Sequence, residues 1–247
     1  MAGTFFNNFP VLAYNFGDEV TPVVFQNISA YMSLIDEVKD EVTAYNTIFI
    51  DDDERPDTLS YKLYGDENFY WTFFFLNDDI RENGWPLNEL EIYEYSKVYY
   101  PNWTVTTQDP IYDIFLEGNT VLGLTSGATG TVVKRFIDRG QIIIKKDTPD
   151  GVRDFRSGEL IRANNNIADQ VRLSGAVVQY NSVHHYENTD GDWVDVNPFN
   201  PNTSGLIPIT YLDRLKNLNN KLREIKVFTP ETVVQIQSEF NKLLLRG

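Results

Sequence analysis

The chain of 247 residues contains no cysteine and only two histidines, and both shortages restrict its chemistry. Without cysteine, disulfides and thiolate metal sites are excluded, which suits a protein assembled in a reducing cytoplasm. The histidines, His184 and His185, are adjacent, so a nucleophilic triad has few possible bases. Neighbouring side chains of a strand point to opposite faces, and we therefore expect two surface residues that do not share a metal.

Basic residues and long apolar runs are also scarce. Lys and Arg number 21 against 36 Asp and Glu, which gives a net charge of -15. This charge repels phosphate backbones and anionic membranes, so we expect neither nucleic acid nor a membrane as a partner. The N-terminal sequence has no basic start and no continuous apolar run, and is predicted to be neither a signal peptide nor a transmembrane segment. With 42% hydrophobic residues, the chain is globular and large enough for two modest domains.

Residues 55–85 contain two short helix patterns separated by turn residues. Asp57 is predicted to cap the first helix, and Gly65 to end it in the left-handed conformation. Asp66 can cap the second helix, and Asn77 with Asp78 is predicted to end it. The second helix is apolar almost all round between residues 69 and 76, so we expect it to be buried on more than one side.

Motifs in this segment resemble, in order, the baseplate wedge subunit of T-even-type contractile-tailed bacteriophages. They are Arg-Pro-Asp-Thr-Leu at 55–59, Leu-Tyr-Gly-Asp at 63–66, Tyr-Trp at 70–71, Asn-Asp at 77–78 and Gly-Trp at 84–85. A second block, Leu-Arg-Glu-Ile-Lys-Val at 222–227, is similar to the C-terminal end of the same family. The residues between the two blocks do not resemble the family.

The resemblance implies a structural subunit with no enzymatic activity and no cofactor. It implies contacts with other wedge proteins, with neighbouring wedges and with the hub and sheath-initiating proteins. Such a protein occurs in multiple copies in the virion tail baseplate and is assembled in the host bacterial cytoplasm. Weak contacts repeated around a closed ring sum to a stable assembly.

The same segment also resembles a LysM module, in which two helices pack on a two-stranded sheet. Residues 45–50 alternate and are β-branched, as expected of the preceding strand. A LysM module by itself implies peptidoglycan or chitin binding, so the alternative function is a peptidoglycan-binding module of a tail-associated lysin. In the wedge family, the resemblance implies that the fold serves protein contacts.

The aromatic residues of this module exceed what about fifty residues can bury, so some are expected to face another domain or another chain. Tyrosine and tryptophan favour interfaces because they combine an apolar ring with a polar tip. The residues predicted to define the module or its protein contacts are Arg55, Asp57, Tyr64, Gly65, Tyr70, Trp71, Asn77, Asp78, Trp85, Arg223, Ile225 and Lys226.

The sequence after Trp85 predicts a third helix that begins at Pro86, and the sequence pattern then changes. From 103 to 196, short alternating segments punctuated by glycines predict an inserted small antiparallel β-barrel or sandwich. The predicted strands are at 114–116, 131–133, 141–146, 159–161 and 176–180. Residues 197–205 have the composition of a linker. A helix from Tyr211, a short strand at 225–228 and a last helix starting near Pro230 follow.

Three polar segments have both a chemical and a plain interpretation. The Ser-Gly-Ala-Thr-Gly run at 126–130 suggests a phosphate cradle but lacks the lysine that follows in such loops, so we predict a β-turn. Residues 188–192 suggest a calcium loop, but Trp193 occupies the position that requires glycine, so we predict a hairpin turn. The carboxylates of 51–54 suggest a glycosidase pair, but a solvated loop is the plainer interpretation.

Together these patterns predict an α+β protein with a LysM-like helix-helix-on-sheet module, N- and C-terminal helices and an inserted β-domain. The predicted divisions are an N-terminal arm and helix at 1–42, the module at 43–102, the β-domain at 103–196 and a C-terminal part at 197–247.

Overall fold

The computed structural model describes residues 11–15, 21–26 and 45–244, and divides the chain into two compact units. Unit 1 comprises residues 1–88 and 219–247, and unit 2 comprises residues 89–218. Most of the predicted arm and helix at 1–42 lies outside the described residues. Within the predicted arm and helix, Val11–Tyr14 (β1) pairs antiparallel with Val23–Gln26 (β2), a hairpin that was not predicted.

The remaining elements follow in chain order. In the first part of unit 1 they are β3 (Tyr45–Phe49), α1 (Pro56–Tyr64), a 3-10 turn (Glu67–Phe69), α2 (Trp71–Leu76) and α3 (Asp78–Asn83). Unit 2 begins with α4 (Glu89–Tyr99), followed by β4 (Trp103–Thr107), β5 (Thr120–Gly123), β6 (Thr129–Phe136), β7 (Gln141–Lys146), β8 (Leu160–Ala163), β9 (Gln170–Val178), β10 (Val183–Glu187), β11 (Trp193–Val194) and β12 (Ile207–Thr210). Helix α5 (Tyr211–Lys221) leads back to unit 1, which ends with β13 (Glu224–Phe228) and α6 (Pro230–Leu244).

Strands β3 and β13 form the two-stranded antiparallel sheet of unit 1. Ile48 lies opposite Ile225, and Phe49 opposite Glu224. The strand predicted at 45–50 and the strand predicted at 225–228 are thus confirmed and are partners. Because they are distant in sequence, unit 1 is complete only when the C-terminal part of the chain is present.

The first helix of unit 1 begins two residues earlier than predicted. Pro56 occupies its first position, where the fixed φ of proline suits a helix, and Arg55 is the N-cap residue. Asp57 therefore lies in the first turn and is not the cap, so that prediction was wrong. Gly65 ends α1 as predicted, with φ of 71° and its N–H donating to the Tyr61 carbonyl at 2.9 Å.

Helix α2 is buried on two sides, as its apolar sequence predicted. Phe69, Trp71 and Leu76 pack against Phe228 and against Val233 and Ile236 of α6. On the other side, Phe73 lies in a second cluster, with Ile50, Leu59, Ile80, Ile225 and Val227. The C-terminal helix of the same unit thus covers Trp71, whose exposed fraction is 3%. Trp71 and Phe73 are therefore not among the aromatic residues that remain for another domain or chain to cover.

Pro86 does not open a helix, because the residues after it are bonded to the C-terminal part of unit 1. The Leu87 N–H donates to Asn219 Oδ1 at 2.8 Å, and the Leu87 carbonyl accepts from Asn219 Nδ2 at 2.8 Å. A backbone held in this way by a side-chain amide cannot enter the helical ladder. Helix α4 accordingly begins at Glu89.

Unit 2 contains a closed six-stranded antiparallel barrel with the strand order β4-β7-β6-β5-β8-β9. A small antiparallel β-barrel was one of the two predicted forms of the insertion. Its core is formed mainly by branched and aromatic side chains, among them Val105, Ile142, Ile144 and Ile161. A separate three-stranded sheet has the order β11-β10-β12.

The strand predicted at 114–116 is instead part of the connection from β4 to β5. Phe115 is fully buried in the barrel core, with a positive φ of 56° that no strand allows. Arg135 Nη1 fixes the connection by donating to the carbonyls of Ile111 and Tyr112 at 2.8 Å and of Ile114 at 3.0 Å. The three apolar residues at 114–116 belong to a buried connection, and such a connection can have the same composition as a short strand.

Replacement of Gly140 by alanine is expected to destabilise unit 2 strongly. Its φ is 59°, and a Cβ atom would lie 2.3 Å from the Thr107 carbonyl oxygen and 2.9 Å from Pro198 Cβ. Gly118→Ala is the control, because it has a φ of 86° and no heavy atom within 4 Å of the new Cβ. We expect a loss of about 1 kcal/mol for the control and roughly 3 kcal/mol or more for Gly140→Ala in urea unfolding. Equal losses would show that strain alone, without the close contact, governs this turn.

Candidate functional site

The residues predicted from the sequence as module-defining or interface residues divide by exposure. Trp71, Arg223 and Ile225 are buried within unit 1. Asp57, Tyr64, Tyr70, Asn77 and Trp85 are half-buried, and Arg55, Gly65, Asp78 and Lys226 are exposed. The buried members cannot contact a partner, so their place in the structure is inside the module.

Asn77 and Lys226 come from the two separate blocks and are bonded to each other. Asn77 Oδ1 accepts from the Lys226 N–H at 2.8 Å, and Asn77 Nδ2 donates to the Lys226 carbonyl at 2.7 Å. The Asn77 amide also reaches the Phe73 carbonyl at 2.8 Å, at the end of α2. The side chain therefore acts as one more pairing partner for β13 and ties α2 to the sheet.

Arg223 is buried and has three acceptors. Its Nη2 donates to Asp52 Oδ1 at 2.6 Å and to the Leu87 carbonyl at 2.9 Å, and Nη1 contacts the Ile50 carbonyl at 3.3 Å. A buried guanidinium needs such partners, because an unpaired charge in the interior is costly. The acidic segment at 51–54 is a loop, as predicted, and its Asp52 serves this ion pair.

Tyr64 and Trp85 bond to the backbone from within the module. Tyr64 donates its hydroxyl to the Phe228 carbonyl at 3.1 Å, and burial raises the pKa of Tyr64 to about 12. Trp85 Nε1 donates to the Glu54 carbonyl at 2.6 Å, and its ring lies 6.0 Å from that of Phe73. On the surface, the guanidinium of Arg55, 3.0 Å away, lowers the pKa of Asp57.

The outer face of helix α4 carries aromatic residues of the predicted surplus, although they were not among the named interface residues. Its large apolar side chains are exposed, with exposed fractions of 69% for Leu90, 45% for Tyr95, 80% for Val98 and 58% for Tyr99. The spacing of Tyr95, Val98 and Tyr99 places them on neighbouring turns of one face. This spacing was visible in the sequence, but it is equally typical of a face that packs on the protein's own core.

The residues between Gly123 and Thr129 connect β5 to β6, so the turn predicted at 126–130 is confirmed only in part, because 129 and 130 already belong to β6. The backbone N–H groups of this connection are occupied by a carboxylate of the same unit, because Glu159 Oε2 accepts from Ser126 N at 2.9 Å and from Thr125 N at 3.2 Å. An internal anion thus takes the place that a phosphate would require. The hairpin turn predicted at 188–192 is also confirmed, since it joins β10 to β11.

The two histidines are not surface residues, so that prediction was wrong. His184 has an exposed fraction of 7%, and the His185 side chain one of 8%. The register of β10 against β12 shifts between Val183 and His185, as at a β-bulge. A bulge breaks the alternation of faces, and the two Nδ1 atoms lie 3.0 Å apart.

The hydrogen bonds around this pair define their direction. Arg214 Nη1 lies 3.1 Å from His184 Nε2, and since arginine only donates, His184 Nε2 accepts. The His184 proton is therefore on Nδ1 and is donated to His185 Nδ1. His185 then donates through Nε2 to Glu187 Oε1 at 2.9 Å. Burial, followed by the charges of Arg139, Arg214 and His185, lowers the pKa of His184 to about 4.

Within residues 11–15, 21–26 and 45–244, no group of three or more His, Cys, Asp or Glu side chains is placed to hold a metal ion. Over the same residues, every helix is too short or too polar to cross a membrane.

The first part of unit 1 and the start of unit 2 are similar in sequence to a family of phage baseplate proteins. The family model described as "Base plate wedge protein 53" matches residues 1–116. The match supports a baseplate wedge subunit of a phage and a place in the virion tail, as the motifs of residues 55–85 indicated. No curated protein matches the chain.

Asn77→Ala is expected to destabilise unit 1, because it removes the side-chain bonds to both backbone groups of Lys226 and to Phe73. We expect a loss of about 1 to 3 kcal/mol in the free energy of unfolding, measured with urea. Asn83→Ala is the matched control, since Asn83 makes a single exposed bond to the Asp79 carbonyl within α3. A loss no larger than that of the control would contradict the tie between α2 and β13.

The stability of unit 2 is expected to fall as the pH falls from about 6.5 to about 4, because the unfolded chain binds a proton at His184 before the folded one does. Above this window the stabilisation is fully present, and the total loss is on the order of 3 kcal/mol. Urea unfolding between pH 4 and 8 measures it, and His184→Phe should flatten this part of the curve. Nitrogen-15 shifts that place the His184 proton on Nε2 at pH 7.5 would contradict the hydrogen-bond chain.

Proposed function

We propose that the chain is a structural subunit of a baseplate wedge that binds other wedge proteins and helps to join adjacent wedges into a ring around the hub. The observation that carries the proposal is the exposed apolar face of α4, which lies inside the segment that matches the wedge family. Contiguous exposed apolar side chains of this kind mark protein contact surfaces.

The α4 face is prepared for binding by its own packing. The rings of Tyr95 and Tyr99 are stacked, with centroids 5.4 Å apart, so their rotamers are already restricted before a partner binds. The opposite face holds the helix in place, because Ile92 and Ser96 are buried and Tyr93 contacts Tyr180 edge to face at 5.8 Å. A rigid aromatic surface loses little side-chain entropy on association.

The charge of the chain defines the partner further. Glu91 and Glu94 lie beside the apolar residues of α4, and the net charge of the protein is -15. An electrostatically complementary partner presents an apolar surface with a basic rim. The proposed partners are other wedge proteins, neighbouring wedges and the hub and sheath-initiating proteins, met during assembly in the host cytoplasm.

We also propose that unit 1 is a LysM-like module used for protein contacts. The order β3, α1, α2 and β13, with both helices packed on a two-stranded antiparallel sheet, supports this. For the alternative, peptidoglycan binding, the tryptophans are poorly placed. Trp71 is buried, and Trp85 is half-buried and bonded to Glu54, so neither presents a free ring face to a sugar.

The double substitution Tyr95→Ser with Val98→Ser is expected to weaken binding to a wedge partner at least tenfold, because buried apolar area contributes about 25 cal/mol per Å². The purified chain is mixed with each of the other wedge proteins of its own particle, and complexes are measured by sedimentation and titration calorimetry. The control is Ile167→Ser, which removes an apolar side chain that is 75% exposed outside the matched segment.

Three outcomes are informative. A defined complex that the control retains and the double variant loses supports the proposal. A complex that the double variant retains shows that α4 is not the contact surface. A chain that stays alone with every wedge protein, but sediments with insoluble cell wall, would favour the peptidoglycan-binding alternative.

A further inference from the structure

A cavity of about 670 Å³ lies in unit 2, on the outside of the barrel. Its floor is formed by β4 and β9, and its walls by β10, β11 and the segment that follows β11. Thr104 and Thr106 face it, while the alternating residues Trp103 and Val105 belong to the barrel core. The volume is within the range of small-molecule sites, and none of the interactions proposed above uses it.

Gln141, a residue of the cavity lining, has a buried acceptor atom that makes no hydrogen bond to a described residue. Gln141 lines the cavity with an exposed fraction of 4%, and its Nε2 donates to the Val183 carbonyl at 2.6 Å. This bond fixes the orientation of the amide. Among the described residues, Gln141 Oε1 has no hydrogen-bond donor. This oxygen is closed off from solvent, so Gln141 forms a fixed part of the wall and its Oε1 does not bond to a ligand in the cavity.

An aromatic ring is presented at the same cavity. Trp193 has an exposed fraction of 53%, whereas Trp71 and Trp103 are buried. Its position is fixed, because the ring stacks on His185 with centroids 4.1 Å apart and Nε1 donates to Asp195 Oδ1 at 3.1 Å. A large planar ring that remains exposed although its neighbours hold it rigidly is suited to binding the apolar face of a ligand.

The remaining polar groups of the wall define the chemical class of the ligand. Asp138 and Asp195 are carboxylates, which accept only, and Ser174 and Thr106 form a hydroxyl pair at 3.0 Å. Arg139 is the cation in the lining and lies beside Asp138, at 3.5 Å. Two carboxylates against one guanidinium disfavour an anion, and the polar floor disfavours an apolar molecule. A ligand with several hydroxyl donors and an apolar face fits both properties.

We propose that this cavity binds a neutral saccharide of roughly one or two pyranose rings, a volume that the site accommodates. One ring lies against Trp193, and its hydroxyl groups donate to Asp138 and Asp195. The site belongs to unit 2 and not to the module that resembles LysM. A baseplate subunit with this site contacts a glycan as well as its protein partners.

The experiment titrates the full chain with maltose, lactose and N,N′-diacetylchitobiose, followed by tryptophan fluorescence and by saturation-transfer NMR. We expect saturable binding of at least one of them with Kd of about 1 mM, a common strength for a small exposed site. Glucose 6-phosphate and galacturonate are the anionic probes and should bind at least tenfold more weakly.

Two variants test the assignment of the site, and a third is the control. Trp193→Ala and Asp195→Ala should each weaken saccharide binding at least tenfold, since one removes the ring and the other a carboxylate acceptor of the wall that also fixes the ring. Tyr112→Ala removes an exposed aromatic ring of the same unit that does not line the cavity, and should leave binding unchanged. Circular dichroism and urea unfolding establish that each variant is folded, and Trp193→Phe, which keeps a smaller ring, should bind with intermediate strength.

The proposal is overturned by any of three results. The first is the lack of saturable binding of all three neutral disaccharides by the folded wild-type chain. The second is tighter binding of the anionic probes than of the neutral ones. The third is binding that Trp193→Ala and Asp195→Ala both retain, which would place the sugar elsewhere.

Discussion

The antiparallel pairing of β3 with β13 is the constraint on which unit 1 depends. These strands come from the two separate stretches of sequence that form unit 1, and Ile50 and Arg223, which lie just outside the paired residues, are bonded although they are 173 positions apart. Pairing at such a separation carries a large loop-closure cost. The cost is offset locally, because Asn219 and Arg223 both bond to Leu87 at the point where the chain leaves unit 1. The departure and return of the chain are thereby fixed next to each other.

This arrangement explains why unit 1 can bury so many aromatic side chains. A fold of β3, α1 and α2 alone would leave Trp71 and Phe69 uncovered on the side away from the sheet. Helix α6 follows β13 directly and contributes Val233 and Ile236 to that side. The C-terminal residues therefore supply both the second strand and the second layer of the core, although the family match ends at residue 116.

The two proposed binding surfaces, the α4 face and the cavity of unit 2, differ in how their side chains are held in position before binding. The α4 face consists of apolar side chains stacked on one another, and its binding strength depends on buried area. The cavity of unit 2 depends on few groups in fixed positions, of which Gln141 is bonded to Val183 and Trp193 to Asp195. The histidine pair lies beside this cavity, and its hydrogen bonds run from Arg214 to Glu187 and hold β10 against α5. The two kinds of site can therefore change independently.

Local sequence patterns were sufficient to predict those structural features whose physical cause is local. The strand at 141–146, the left-handed end of α1 at Gly65, the hairpin turn before Trp193 and the double burial of α2 could all be predicted, because periodicity and turn chemistry determine them. The motifs of residues 55–85 also indicated the wedge family. Exposure could not be predicted in the same way, since the spacing of Tyr95 and Val98 is the same for a core face and a contact face.

The remaining features are set by distant residues and were decided only by the tertiary structure. The start of α4 depends on Asn219, the burial of Trp71 on α6, and the meeting of His184 with His185 on a register shift against β12. Phe115 was predicted to lie in a strand, because a buried connection and a buried strand can have the same composition. Only the closure of the barrel distinguishes the two. The sequence by itself determined which residues must be buried and where the chain turns. Which partner buries each of them was decided by packing, because hydrophobic burial has no direction of its own.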